Sequence, residues 1–181
     1  NLGIAYSRRL SGDRADNIEH AISAYQHGLR FYTRGSEPVK WASAQNNLGI
    51  ALRKRIRGER AANLAASAAA HEAAMTVYTS AAFPWMHLRS AQLAGEVAAA
   101  RGDWSAAREY YRRAIEASQL LFAGGLNRAE AESVVREGGE LFAGAAYAAV
   151  MLKAPLEALN IIESGRARLL RVAVGLDALA I

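Results

Sequence analysis

Cysteine is absent from this chain of 181 residues. That removes disulfides, thiolate metal sites and a cysteine nucleophile, and leaves a reducing cytoplasm as the simplest home. Proline is scarce as well, with three residues at positions 38, 84 and 155, so little interrupts long helices. No run of about 18 apolar residues occurs, because Arg, Glu or Lys breaks every candidate, and no membrane span is expected. No signal peptide heads the chain, and its first residue is Asn1 rather than Met, so it reads as an excised piece of a longer protein. What is abundant is alanine, the best helix former, while β-branched residues are sparse; the composition points to an all-α protein. About half of the residues are apolar and 22% are charged, enough to bury a core. The formal charge of +5 could favour acidic partners, but a solvated surface is the simpler reading of it.

The chain repeats. NLGIAY at residues 1–6 returns as NLGIAL at 47–52, and at the same offset Gly12 falls on Gly58, Asn17 on Asn63, Tyr32 on Tyr78 and Pro38 on Pro84. One further step places Gly95 where Gly3 and Gly49 stand. A fixed period of 20–50 residues signals a stacked array in which each unit covers its neighbour's apolar face. Apolar spacing and turn signals predict helices over about 1–10, 15–33, 38–56 and 61–80, then from 84 to the Gly102-Asp103 turn, and over 104–122 and 128–152. A last helix runs from 155 to at least 170. The prolines open helices, where a missing N–H costs nothing, and Asp13 or Asp16 can cap the second one. The strict period fails after Gly124-Gly125, and Gly138-Gly139 should weaken the helix that follows by roughly 1 kcal/mol each. The result is one array of four hairpins over about 1–37, 38–83, 84–125 and 126–181, with no domain boundary.

These hairpins resemble tetratricopeptide repeats, whose pattern is Leu-Gly-x-x-Tyr on one helix and Ala-x-x-x-aromatic on the next. Leu2-Gly3-x-x-Tyr6 pairs with Ala21-x-x-x-Tyr25, and Gly95, Gly102, Ala107, Tyr111 and Ala114 have the spacing of the standard repeat. The fourth unit offers Gly144-x-x-Tyr147 and Ala158-x-x-x-Ile162, while the second departs most, with Ser67 and His71 for Ala and aromatic. The resemblance implies a right-handed superhelix whose small residues let paired helices approach and whose aromatics fill the gaps. WASAQNNLGIALRKRIRG and the closing ALNIIESGRARLL further resemble the repeat region of bacterial TPR-CHAT proteins. There such a region precedes a caspase-like protease domain, so this chain would be a sensor or regulatory part.

The resemblance implies a concave groove lined by the first helix of each hairpin. Asn1 and Asn47 stand two residues before the motif glycine, where peptide-holding relatives place an Asn, and Leu93 departs from this. An Asn amide donates and accepts, so it can hold a peptide main chain, or it can satisfy neighbouring backbone. Ile50, Arg53 and Lys54 follow Asn47, and Arg89 lies where clamping relatives carry a basic residue. Asn with Arg suits a carboxylate or acidic peptide; alternatively these cations favour helix C-termini. Trp41, Trp85 and Trp104 read as packing residues, since acidic residues such as Glu59, Glu72, Glu96 and Glu109 interrupt any basic stripe for nucleic acid. The histidines form no HExxH pair, and no glycine-rich phosphate loop occurs. The expectation is therefore protein or peptide binding, with no cofactor, no metal and no chemistry of its own. The rival readings are self-association through the alanine-rich flanks and, less favoured, nucleic-acid binding.

Overall fold

The computed structural model describes residues 2–9, 11–123 and 128–178. Among these are eight α-helices and no strand: α1 (Leu2–Arg8), α2 (Arg14–Phe31), α3 (Pro38–Arg53), α4 (Arg60–Met75), α5 (Pro84–Ala100), α6 (Trp104–Ala123), α7 (Arg128–Met151) and α8 (Pro155–Ala178). Asn1, Gly124-Gly125 and the side chain of Arg8 lie outside the described residues. The chain is all-α, as its alanine content predicts.

Local chemistry starts the helices where the sequence places the signals. Pro38, Pro84 and Pro155 are the first residues of α3, α5 and α8, positions where the N–H would be orphaned in any case. Asp13 caps α2 by accepting from the Asp16 N–H at 2.8 Å, and Asp103 does the same for Ala106 at 3.0 Å before α6. Two helices end earlier than their apolar spacing predicts: α3 stops at Arg53 and α4 at Met75. Helix α7 instead runs unbroken through Gly138-Gly139. Gly138 is buried, as are Leu141, Phe142 and Ala145 further along the helix, so tertiary packing overrides a weak local preference.

The turn inside each hairpin carries one residue in the left-handed region: Gly12 (φ 82°), Gly58 (φ 78°), Gly102 (φ 74°) and Lys153 (φ 59°). Helices α5 and α7 end in the same pair of backbone bonds, Asp103 N–H to Ala98 and Gly102 N–H to Ala99, then Ala154 N–H to Ala149 and Lys153 N–H to Val150. This is the Schellman closure, and it sets the fourth hairpin 51 residues after the third, from Gly102 to Lys153. That register corrects the motif expected at Gly144-x-x-Tyr147. Ala146, not Gly144, stands where Gly95 does, whereas Ala158 and Ile162 keep the places of Ala107 and Tyr111. Gly144 makes room for the preceding unit instead. A Cβ added to it would stand 2.8 Å from the Tyr111 ring, which is also 2.9 Å from one on Gly95. Tyr111 is thus clamped between its own hairpin and the next.

The first two hairpins have longer turns, and a buried asparagine closes each one. Asn17 Nδ2 donates to the Ser11 carbonyl at 2.9 Å, and Asn63 Nδ2 to the Arg57 carbonyl at 2.8 Å. In the shorter third and fourth hairpins the same register, counted back from Tyr111 and Ile162, places Asp103 and Ala154 in the turn itself. Each helix packs on its neighbour in sequence; in addition α3 touches α5 and α5 touches α7. No pair of even-numbered helices lies as close among the described residues. Long side chains bridge that side instead, with Tyr110 donating to Glu72 and Arg108 paired to Glu157 at 2.7 Å.

Candidate functional site

Where α1, α2 and α3 meet they enclose a cavity of about 220 Å³. Three of the residues singled out in the sequence line it: Asn47, Ile50 and Lys54. From the other two helices and the turn between them come Ile18 and Tyr25, which form the apolar wall, and Ser7, Arg9, Arg14 and Asn17, which are polar. Among the described residues three cations and no carboxylate face this space. The carboxylates nearest in sequence are already engaged: Asp16 pairs with Arg57 at 2.6 Å, and Glu19 binds Arg55 through both oxygens at 2.7 and 2.8 Å. The paired Arg55 guanidinium holds the Glu19 carboxyl below its usual range. Lys54 and the Asn47 amide make no hydrogen bond or ion pair among the described residues, and Arg9 reaches only the Ser11 hydroxyl at 3.2 Å.

The cavity is smaller than the 300–1,000 Å³ typical of cofactor and small-molecule sites. It has room for one side chain or a short stretch of main chain, with an ammonium, two guanidinium groups and an amide to receive it. A carboxylate entering here would gain charge-assisted hydrogen bonds without displacing an internal partner.

Arg53 stands apart from this cavity. Its Nη1 pairs with Glu96 of α5 at 2.9 Å, and the Glu96 carboxylate also receives the Gln92 amide at 3.4 Å. The expected ligand-binding arginine thus joins α3 to α5. Arg89, on α5, does not line the cavity either, and it has an interaction of its own. Asn1 lies outside the described residues. Sequence reasoning did not choose Arg9, Arg14 and Asn17 for the site, although the repeat marks all three, with Arg9 falling on Arg55, Arg14 on Arg60 and Asn17 on Asn63.

Beside Arg53 lies a buried polar cluster. His71 fills the slot taken by Tyr25 and Tyr111 in neighbouring hairpins, and a Cβ on Gly49 would stand 2.7 Å from its Nε2. His71 Nδ1 lies 2.7 Å from Asn46 Oδ1, an acceptor that assigns the proton to Nδ1. Burial, reinforced by the Arg53 charge, pushes the imidazole down to about 4. The group is neutral at pH 7.

Two of the three tryptophans pack against their neighbours. Trp41 lies against Ala42, Ala74 and Tyr78, and Trp104 meets Tyr147 edge to face with ring centroids 5.5 Å apart. Among the described residues no group of three or more His, Asp or Glu side chains could hold a metal, and no helix is long and apolar enough to cross a membrane. No protein-family model matches the chain, and no curated protein matches it.

Proposed function

We propose that the chain is a recognition array of tetratricopeptide type that binds an acidic segment of a partner protein at the junction of α1, α2 and α3. One observation carries this reading: Lys54, Arg9 and Arg14 face one cavity with the unpartnered Asn47 amide, and no carboxylate there neutralises them. Supporting a right-handed superhelix are the paired helices, the four left-handed turns and the aromatic-on-glycine contacts at Gly3, Gly49 and Gly95. So is the closer approach of the odd-numbered helices, since units tapered in one direction stack into a curve. In this reading the chain recognises and does not catalyse. Its likeness to the repeat region of TPR-CHAT proteins makes it the sensor of a larger polypeptide with a caspase-like protease domain. Sequencing the gene's reading frame past residue 181 tests that extension, and a frame encoding no such domain overturns it.

The binding claim has its own test. A labelled extended peptide with Glu at alternate positions is titrated against the array by fluorescence anisotropy, beside its Gln counterpart. The Glu peptide should bind more tightly, and its affinity should fall with salt. Lys54→Ala and Asn47→Ala should each weaken it about tenfold, as expected for one hydrogen bond to a charged group. Equal binding of both peptides, or unchanged affinity in both variants, rejects the site.

A further inference from the structure

The space between the first helices of neighbouring hairpins is open at one junction and bridged at the next. Gly3, Gly49 and Gly95 each lie against the ring of their own hairpin, Tyr25, His71 and Tyr111, and so share a register of 46 residues. In that register Ser7 and Ile50, which both line the α1–α3 cavity, fall on Arg53 and Glu96. Between α3 and α5 these two positions carry an ion pair at 2.9 Å, where the first junction has a hydroxyl and an aliphatic side chain. Further hairpins flank this second junction on both sides.

The bridging pair is incompletely bonded. Arg53 meets Glu96 through Nη1, while its Nε is buried and has no hydrogen-bond partner. Oε1 of Gln92, a residue 2% exposed, also lacks one, and Gln92 Nε2 reaches Glu96 only at 3.4 Å. Arg55 shows the contrast, binding Glu19 through two nitrogens at 2.7 and 2.8 Å and reaching Asn63 as well. A bidentate pair of that kind fixes its helices, whereas a pair met through one nitrogen, with members 30% and 27% exposed, exchanges readily. Buried polar atoms left unpaired beside it mark a set of bonds that another group can complete.

We infer that Glu96 is an internal competitor: its carboxylate holds, on Arg53, the place of an acidic side chain of the partner, and so keeps a second subsite closed. This inference rests on the peptide-binding reading and adds the regulation of that groove. A ligand must displace Glu96 before Arg53 receives it, so apparent affinity at this subsite is reduced to the fraction of Arg53 that is free. Packed helices lie about 8–10 Å apart and an extended chain rises about 3.3 Å per residue. The acidic residue at this subsite is therefore about three residues from the one in the α1–α3 cavity.

Fluorescence anisotropy with two labelled Gln-rich peptides tests this, one carrying a single Glu and the other a second Glu at that spacing. The wild-type chain should distinguish them little. Glu96→Gln should bind the doubly acidic peptide about tenfold more tightly than the singly acidic one, and adding Arg53→Ala to it should abolish the difference. Glu96→Ala should behave as Glu96→Gln does and serves if the amide variant does not fold, with helical circular dichroism as the check. Equal binding of both peptides by the Glu96 variants overturns the inference; the α1–α3 site survives that result if Lys54→Ala still weakens the singly acidic peptide. A gain that persists without Arg53 also overturns it, because the lost negative charge would then act on the groove as a whole. No binding of either peptide by any form overturns both readings.

Discussion

His71, buried and polar, and Lys153, in the left-handed region, are each at odds with their surroundings, and each makes a measurable difference. His71 has a folded pKa of about 4 against an ordinary 6.5, so the unfolded chain takes up a proton that the folded chain refuses. Its stabilising contribution is therefore complete above about pH 6.5 and is lost as pH falls towards 4. The sum is roughly 3 kcal/mol at about 1.4 kcal/mol per pH unit. Urea midpoints at pH 7 and pH 4.5 should separate accordingly. His71→Tyr, which restores the residue found against Gly3 and Gly95, should narrow that gap; an equal gap in the variant would assign the acid sensitivity to other groups. Lys153 occupies φ 59° where the third hairpin has Gly102 at φ 74°, a conformation costing a non-glycine residue about 1 kcal/mol. Lys153→Gly should raise the unfolding free energy measured in urea by up to that amount, and Gly102→Ala should lower it comparably.

Between elements, the turns decide the repeat length. A turn closed by glycine alone is short, as in the third hairpin, and the fourth keeps that length with Lys153 in glycine's place. The two longer turns need Asn17 and Asn63 to reach back and bind the Ser11 and Arg57 carbonyls. Asn63→Ala should remove its hydrogen bond to the Arg57 carbonyl and cost about 1 kcal/mol, whereas Ala107→Asn, at a fully buried position of α6, should bury an amide and destabilise as well. Thermal melts of the two variants separate this account from a general preference for Ala. The Arg53–Glu96 pair acts at the same level by holding α3 to α5. Each member is about 30% exposed (30% and 27%), so its net worth is modest and falls with salt.

Across the molecule, stability should follow position in the stack. Among the described residues each hairpin packs chiefly on its neighbours, so units packed on both sides are held most firmly. Helix α1 has seven residues and packs chiefly on α2. Helix α5 touches α3, α4, α6 and α7 and carries fully buried Ala91, Ala94 and Val97. Amide exchange should therefore be slowest in α5 and fastest in α1. Uniform exchange over all eight helices would instead indicate a single cooperative unit.

The hairpin order was legible because its signals are local. Proline at a first helical position, Asp at a cap and glycine in a left-handed turn act within a few bonds, and the NLGIA repeat displays them twice. The small-residue and aromatic pairing was legible for Gly3 with Tyr25 and Gly95 with Tyr111, but the fourth hairpin misled because Gly144 serves the preceding unit. The candidate cavity was half legible. Asn47, Ile50 and Lys54 share one helix face and could be chosen together, whereas Arg9 and Arg14 reach the same space from another hairpin. No periodicity reveals that Glu96 lies beside Arg53, or that Asp16 and Glu19 are taken by Arg57 and Arg55. Composition and local hydrogen bonding sufficed to specify helices, caps and turns. Which charges cancel and which remain free depended on the packing of separate helices, because a Coulomb interaction is set by distance in space and not by spacing along the chain.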